Sequence, residues 1–277
     1  MLAIKNLGRK HTLTLEILDD LASDCYDNKH YDKAGVFYNE LYAYYRDEYG
    51  PENKDTLAAL NNAALSHRYA GKFDRALPLC DTLYYMHNKL LGNEHETTIS
   101  ALEDLALIHE ELGNLEKALP MYEKLYEYYR NASYEETTDT VWSLNKMASL
   151  NFDIRKFEIA ADLYGQVYNM RCRMYGENDS RTFTALNNIA ASYAKLEDYT
   201  TSIALYRKLH DMKIAFLGEN NPSTLKTLVS LGKTYQKAGD ISNAIECFEK
   251  AYKIRLETLG ADHEDTIAVK KLLDEIK

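Results

Sequence analysis

Residues 50–56 read Gly50-Pro51-Glu52-Asn53-Lys54-Asp55-Thr56, and residues 92–98 read Gly92-Asn93-Glu94-His95-Glu96-Thr97-Thr98. Glycine and threonine keep their places across a 42-residue step while the residues between them change. The threonine recurs without a miss at Thr14, Thr56, Thr98, Thr140, Thr182, Thr224 and Thr266. The glycine six residues ahead recurs at Gly8, Gly50, Gly92, Gly176, Gly218 and Gly260, with Tyr134 the departure. A fixed period of this length means one supersecondary unit stacked many times rather than one central core.

Outward from Gly50, the unit reads as a helix hairpin. Thr56 or Asp55 supplies a short side-chain oxygen suited to capping a helix start. Leu57, Leu60, Ala63, Ala64, His67 and Ala70 then follow steps of three and four, which is helical periodicity. Gly71-Lys72 interrupts the run, and Phe73, Ala76, Leu77, Cys80, Leu83, Tyr84 and Leu90 mark a second helix. Gly92 closes it as a residue free to adopt positive φ. Pro51 and Pro222 are expected in loops between units, and Pro78 and Pro120 near the starts of second helices, where a missing N–H costs least.

Two pairs of positions repeat throughout. In the first helix, Leu18, Leu60, Leu102, Leu144, Leu186 and Leu228 are each followed four residues later by Ala22, Ala64, Ala106, Ala148, Ala190 and Gly232. In the second, Ala34, Ala76, Ala118, Ala160, Ser202 and Ala244 precede Tyr38, Cys80, Tyr122, Tyr164, Tyr206 and Phe248 by the same step. Small residues opposite large ones allow helices to approach closely.

This order of Leu, small, Gly, aromatic, Ala and aromatic resembles the tetratricopeptide repeat. The 42-residue period, and segments such as Ala76-Leu77-Pro78-Leu79-Cys80 and Leu60-Asn61-Asn62-Ala63-Ala64, look like the repeats of kinesin light chains. The resemblance implies an all-α fold, an α-solenoid wound as a right-handed superhelix of six 42-residue hairpins plus a C-terminal capping helix. Residues 1–277 then form a single array: full repeats at 9–50, 51–92, 93–134, 135–176, 177–218 and 219–260, and a cap at 261–277. Residues 1–8 match the end of a second helix, so the chain is expected to begin with the tail of an incomplete repeat and to be a segment of a longer protein.

Charge and composition narrow the function. With 43 acids against 33 bases, the net charge of −10 argues against binding a nucleic-acid backbone. No stretch approaches the roughly 20 apolar residues that span a bilayer, so no membrane partner is expected. Cys25, Cys80, Cys172 and Cys247 lie far apart, without metal-type spacing, and read as reduced thiols of a cytoplasmic protein. His67 and His109 fall on the buried side and read as packing residues; His11, His95 and His263 belong to the loop signature. No catalytic triad, phosphate loop, HExxH or paired-carboxylate motif appears, and no cofactor is expected.

Function is therefore sought on the stripe of each first helix that the buried positions leave free, which the family resemblance puts on the concave side. Asn61, Asn145 and Asn187, with Asn62 and Asn188 adjacent, offer amides able to pair with both groups of a peptide backbone, or else to bond neighbouring helices. Trp142 and Phe152 beside the small Thr184, Ala191 and Ala194 suggest a pocket for an apolar anchor; the alternative is packing between repeats. Acids at Glu16, Asp19, Asp20 and Asp27 contrast with Lys195, Lys226, Lys233 and Lys237, a polarity able to orient a peptide. Arg68 completes the expected groove set. The leading expectation is a non-enzymatic scaffold that binds a peptide segment of a partner protein. The second is a ligand-sensing regulatory arm of a larger signalling or transcription-control protein.

Overall fold

A computed structural model describes residues 12–133 and 136–276. Among these residues every regular element is an α-helix. In chain order they are α1 (Thr12–Asp27), α2 (Tyr31–Tyr49), α3 (Lys54–Tyr69), α4 (Phe73–Leu91), α5 (Glu96–Glu111), α6 (Leu115–Ala132) and α7 (Thr138–Asp153). There follow α8 (Phe157–Tyr175), α9 (Ser180–Lys195), α10 (Tyr199–Leu217), α11 (Pro222–Lys237), α12 (Ile241–Leu259) and α13 (Glu264–Ile276). They make six hairpins of one first and one second helix, with α13 as a further first helix. The expected tail at 1–8, together with His11 and the departure at Tyr134, lies outside the described residues. No described helix is long and apolar enough to cross a membrane.

The chain divides into two compact units, Met1–Tyr128 and Tyr129–Lys277. In the first, Leu18, Ala22, Ala34, Tyr38 and Leu41 form a core with Ala59 and Ala63 of the next hairpin. Ala64, Ala76 and Cys80 do the same with Leu105 and Ile108. In the second, Ala148, Ala160 and Tyr164 meet Phe183, Leu186, Ile189 and Leu209. Ala190 and Tyr206 meet Leu228, Leu231 and the α12–α13 residues Phe248, Ala251, Val269 and Leu273. No hairpin buries its apolar stripe alone, which is why the unit must be repeated. Gly232 shows how tight the seam is: a Cβ there would lie 2.6 Å from the Phe248 ring.

The Gly-x₅-Thr signature has a specific geometry that corrects the expected cap. Thr56 and Asp55 lie inside α3, and the cap is Asn53, whose Oδ1 accepts from Asp55 N at 2.8 Å and Thr56 N at 3.4 Å. Asp179 and Asn221 cap α9 and α11 in the same way. The threonine turns back instead: Thr56 Oγ1 donates to Gly50 O at 2.9 Å, Thr182 Oγ1 to Gly176 O at 2.8 Å, and Thr224 Oγ1 to Gly218 O at 2.9 Å. Where the cap is a histidine (His95 or His263), the hydroxyls of Thr98 and Thr266 are buried with no hydrogen-bond partner among the described residues. The prolines need correction too. Pro222 is the first residue of α11 rather than part of a loop. Pro78 and Pro120 sit inside α4 and α6, each the sixth residue of its helix, beyond the turn where a missing N–H is free.

Neighbouring hairpins are also held by a column of donors at one position of the second helix. His87 donates to the carbonyl of Thr97 (3.1 Å), Arg171 to Arg181 (2.7 Å), Lys213 to Ser223 (3.4 Å) and Arg255 to Asp265 (2.9 Å). Each acceptor lies ten residues on, in the first turn of the following helix. Lys213 is buried, pairs with no acid among the described residues, and also donates to Thr227 Oγ1 at 2.9 Å. Burial lowers its pKa, and the charge of Lys226 lowers it further.

Candidate peptide-binding face

Each first helix has one stripe buried against its neighbours and another left partly open. In the first unit, Asn61, Asn62 and Arg68 of α3 are half-buried. Arg68 already has a protein partner: its Nε lies 3.2 Å from Asp104 Oδ1 of α5, and its guanidinium covers the Tyr69 ring at 4.6 Å. Burial raises the pKa of Asp104, and the Arg68 charge opposes that shift. Tyr69 in turn joins Tyr26 and Tyr31 in an aromatic group with ring centroids 5.3 to 6.2 Å apart. Two of the first helices here are acidic: α1 carries Glu16, Asp19, Asp20, Asp24 and Asp27, α5 carries Glu96, Glu103, Asp104, Glu110 and Glu111, and neither has a Lys or Arg.

The second unit presents a different surface. Trp142 and Asn145 of α7 and Asn187 and Asn188 of α9 are half-buried, while Lys226 and Lys233 of α11 are exposed. Neither α9 nor α11 contains a single Asp or Glu, in a chain of net charge −10. Asn145 and Asn187 hold the same register position in consecutive repeats. Burial raises the pKa of the Tyr164 hydroxyl, with Ser149 and Asn188 opposing the shift. Asn187 Nδ2 reaches Asn188 Oδ1 at 3.5 Å.

The expected aromatic pocket divides. Phe152 lies at the C-terminal end of α7, in edge contact with Phe157 at 5.2 Å, and lines a cavity of about 400 Å³ with Ala194. Trp142 is ten residues earlier, about 15 Å along a helix axis, and is not among the residues lining that cavity. Asp104 and the turn residues around Phe152 were missed from sequence. Asp104 shares the register of Asn62 and Asn188, and that register was its available signal.

Burial pushes the Cys80 thiol up to about 12 and the Cys247 thiol to about 11, far from thiolate at neutral pH. His67 and His109 are buried, with Asn39 2.8 Å from His67 Nε2 and Asn114 3.4 Å from His109 Nδ1. Among the described residues no three metal-ligating side chains gather.

Comparisons with known proteins agree with this architecture. Residues 55–131 and 181–257 match the tetratricopeptide repeat family. Among solved structures, the chain is similar to a putative kinesin light chain of Podosopora anserina with nearly identical TPR-like repeats. That likeness has 18% identity and a TM-score of 0.64, covering 73% of this chain and 96% of that one. BtubC (BKLC) from P. vanneervenii is 21% identical with a TM-score of 0.60, over 89% of this chain and 92% of that one. YrrB, described as a TPR protein with an unusual peptide-binding site, is 14% identical with a TM-score of 0.51, over 83% and 97%. No curated protein matches in sequence.

Proposed function

This chain belongs to the tetratricopeptide repeat family, and from that premise we propose a non-enzymatic scaffold that binds a peptide segment of a partner protein. The family fold is typical of protein–protein interaction. The observation that carries the finer reading is the open stripe of the second unit. There Trp142, Asn145, Asn187, Lys226 and Lys233 share the first-helix face, while Leu144, Ala148, Leu186, Ala190 and Leu228 are buried. Asn145 and Asn187 each hold an amide donor and acceptor one repeat apart, suited to the alternating N–H and C=O of an extended peptide. Trp142 supplies an aromatic anchor on the same helix as Asn145. Asn61 and Asn62 offer the first unit an equivalent amide position, whereas Arg68 is held by Asp104. Peptide recognition by YrrB favours this reading for a chain of the same fold.

The test selects binders from a random peptide library on the full chain, then measures their affinity for Asn145→Ala/Asn187→Ala and for Trp142→Ala. Affinity is expected to fall at least tenfold in both. Peptides that bind the wild type and both variants equally would place recognition elsewhere.

A further inference from the structure

A second site lies at the C-terminal end of the first-helix stripe, where the turns of consecutive hairpins meet in the second unit. Its cavity of about 400 Å³ is within the range of small-molecule sites. Phe152 and Phe157, ring to ring at 5.2 Å and 67°, form an aromatic wall with Tyr199. The space exists because residue 194 is alanine, at a position occupied by Tyr26, Arg68, Glu110, Phe152 and Gln236 in the other repeats.

Arg155 and Glu197 stand at the rim, and both have a left-handed backbone, with φ of 65° and 62°. Of the other hairpins, three place Gly71, Gly113 and Gly239 at the same turn position, where the conformation costs nothing, and the first places Lys29 there with φ of 60°. A long charged side chain there is strained, in Lys29 as in Arg155 and Glu197, and what sets the last two apart is the cavity they line. Both strained residues of this unit line the one cavity.

The rim carries charges of both signs, two acids and three bases. Asp153 and Arg155 come from one turn, Lys195 and Glu197 from the next, and Lys237 from the end of α11. A purely anionic or purely cationic ligand would meet its own sign; a ligand carrying both charges on an aromatic body would not. We propose that this cavity binds a zwitterionic aromatic molecule of the amino-acid class. Its ring would lie against Phe152, Phe157 and Tyr199, its carboxylate toward Arg155 and the lysines, and its ammonium toward Glu197 and Asp153.

Calorimetric titration of the full chain with L-phenylalanine tests this, beside phenethylamine, which lacks the carboxylate, and 3-phenylpropanoate, which lacks the ammonium. L-Phenylalanine is expected to bind at least tenfold more tightly than either. Arg155→Gly and Glu197→Gly should each weaken it at least tenfold while the melting temperature holds or rises, because the strain is relieved. The thermal readout separates loss of the site from loss of the fold. No heat from L-phenylalanine at millimolar concentration overturns the proposal, as does equal binding of the three compounds or unchanged binding by the glycine variants. Because the peptide-binding variants lie at other positions, failure of either reading leaves the other standing.

Discussion

Thr182 Oγ1 donates to the carbonyl of Gly176 at 2.8 Å, closing the six-residue loop that joins one hairpin to the next. The same threonine in the third repeat, Thr98, buries its hydroxyl without a partner. Two residues in one register position thus differ in what they contribute. Thr182→Val, nearly isosteric, should cost about 1 kcal/mol by deleting a buried hydrogen bond. Thr98→Val should be neutral or stabilising, since it removes a hydroxyl that has lost water and gained nothing. Denaturation midpoints of the two variants decide the point, and equal losses would contradict it.

The Gly232–Phe248 contact sets two effects against each other. Gly232→Ala gains about 1 kcal/mol of helix propensity. Against that, a Cβ 2.6 Å from the Phe248 ring forces repacking, and overpacking of this kind costs about 1–3 kcal/mol. The net expectation is a lower melting temperature. Adding Phe248→Leu should make the double variant's loss smaller than the sum of the single losses, as a double-mutant cycle measures.

Arg68 and Asp104 form a pair whose side chains are only 20% and 14% exposed. Arg68→Ala would leave Asp104 nearly buried and unpaired, with an expected loss of about 2–4 kcal/mol. The loss should shrink at low pH. Burial already raises the Asp104 pKa, and removing Arg68 raises it further, so protonation relieves the variant more than the wild type. Denaturant titrations at pH 4 and pH 7 would show this convergence.

His67 supplies a pH dependence of opposite sign. Burial lowers its pKa from the usual 6.5, with Arg75 adding to the shift and Asp32 opposing it. A group held neutral in the folded state leaves stability undiminished above its unfolded pKa. Stability is then lost as pH falls from about 6.5 toward the folded value. His67→Asn, which copies Asn151 at the equivalent position, should flatten the decline between pH 7 and 5. His109 and His210, whose pKa values burial also lowers, leave a residual slope. An unchanged slope would show that His67 does not drive the acid sensitivity.

The repeat was legible in the sequence because packing imposes it on side-chain size: Leu60 and Ala64, or Ala76 and Cys80, leave nowhere else for the neighbouring helix to sit. The cap was misread because Thr56 and Asn53 are both able to cap, and only the backbone shows which accepts the N–H groups. Pro78 was placed too early because a five-residue offset is below the resolution of a periodic pattern. The open face was legible as a register, but its chemistry was not. That Arg68 faces Asp104 depends on a contact between repeats rather than on spacing within one. A space between Phe152 and Ala194 was legible from size alone, but its turn residues Arg155, Glu197 and Tyr199, and the exclusion of Trp142 from its lining, were not.

The donor column has a consequence for how such a chain can change over generations. His87, Arg171, Lys213 and Arg255 differ in size and charge, yet each grips a main-chain carbonyl. A carbonyl survives every substitution, so the receiving side of the joint never has to match its donor. The joint is specified from one side only. Repeats can therefore be duplicated, lost or exchanged without rewriting the seam, leaving their outward faces free to diverge.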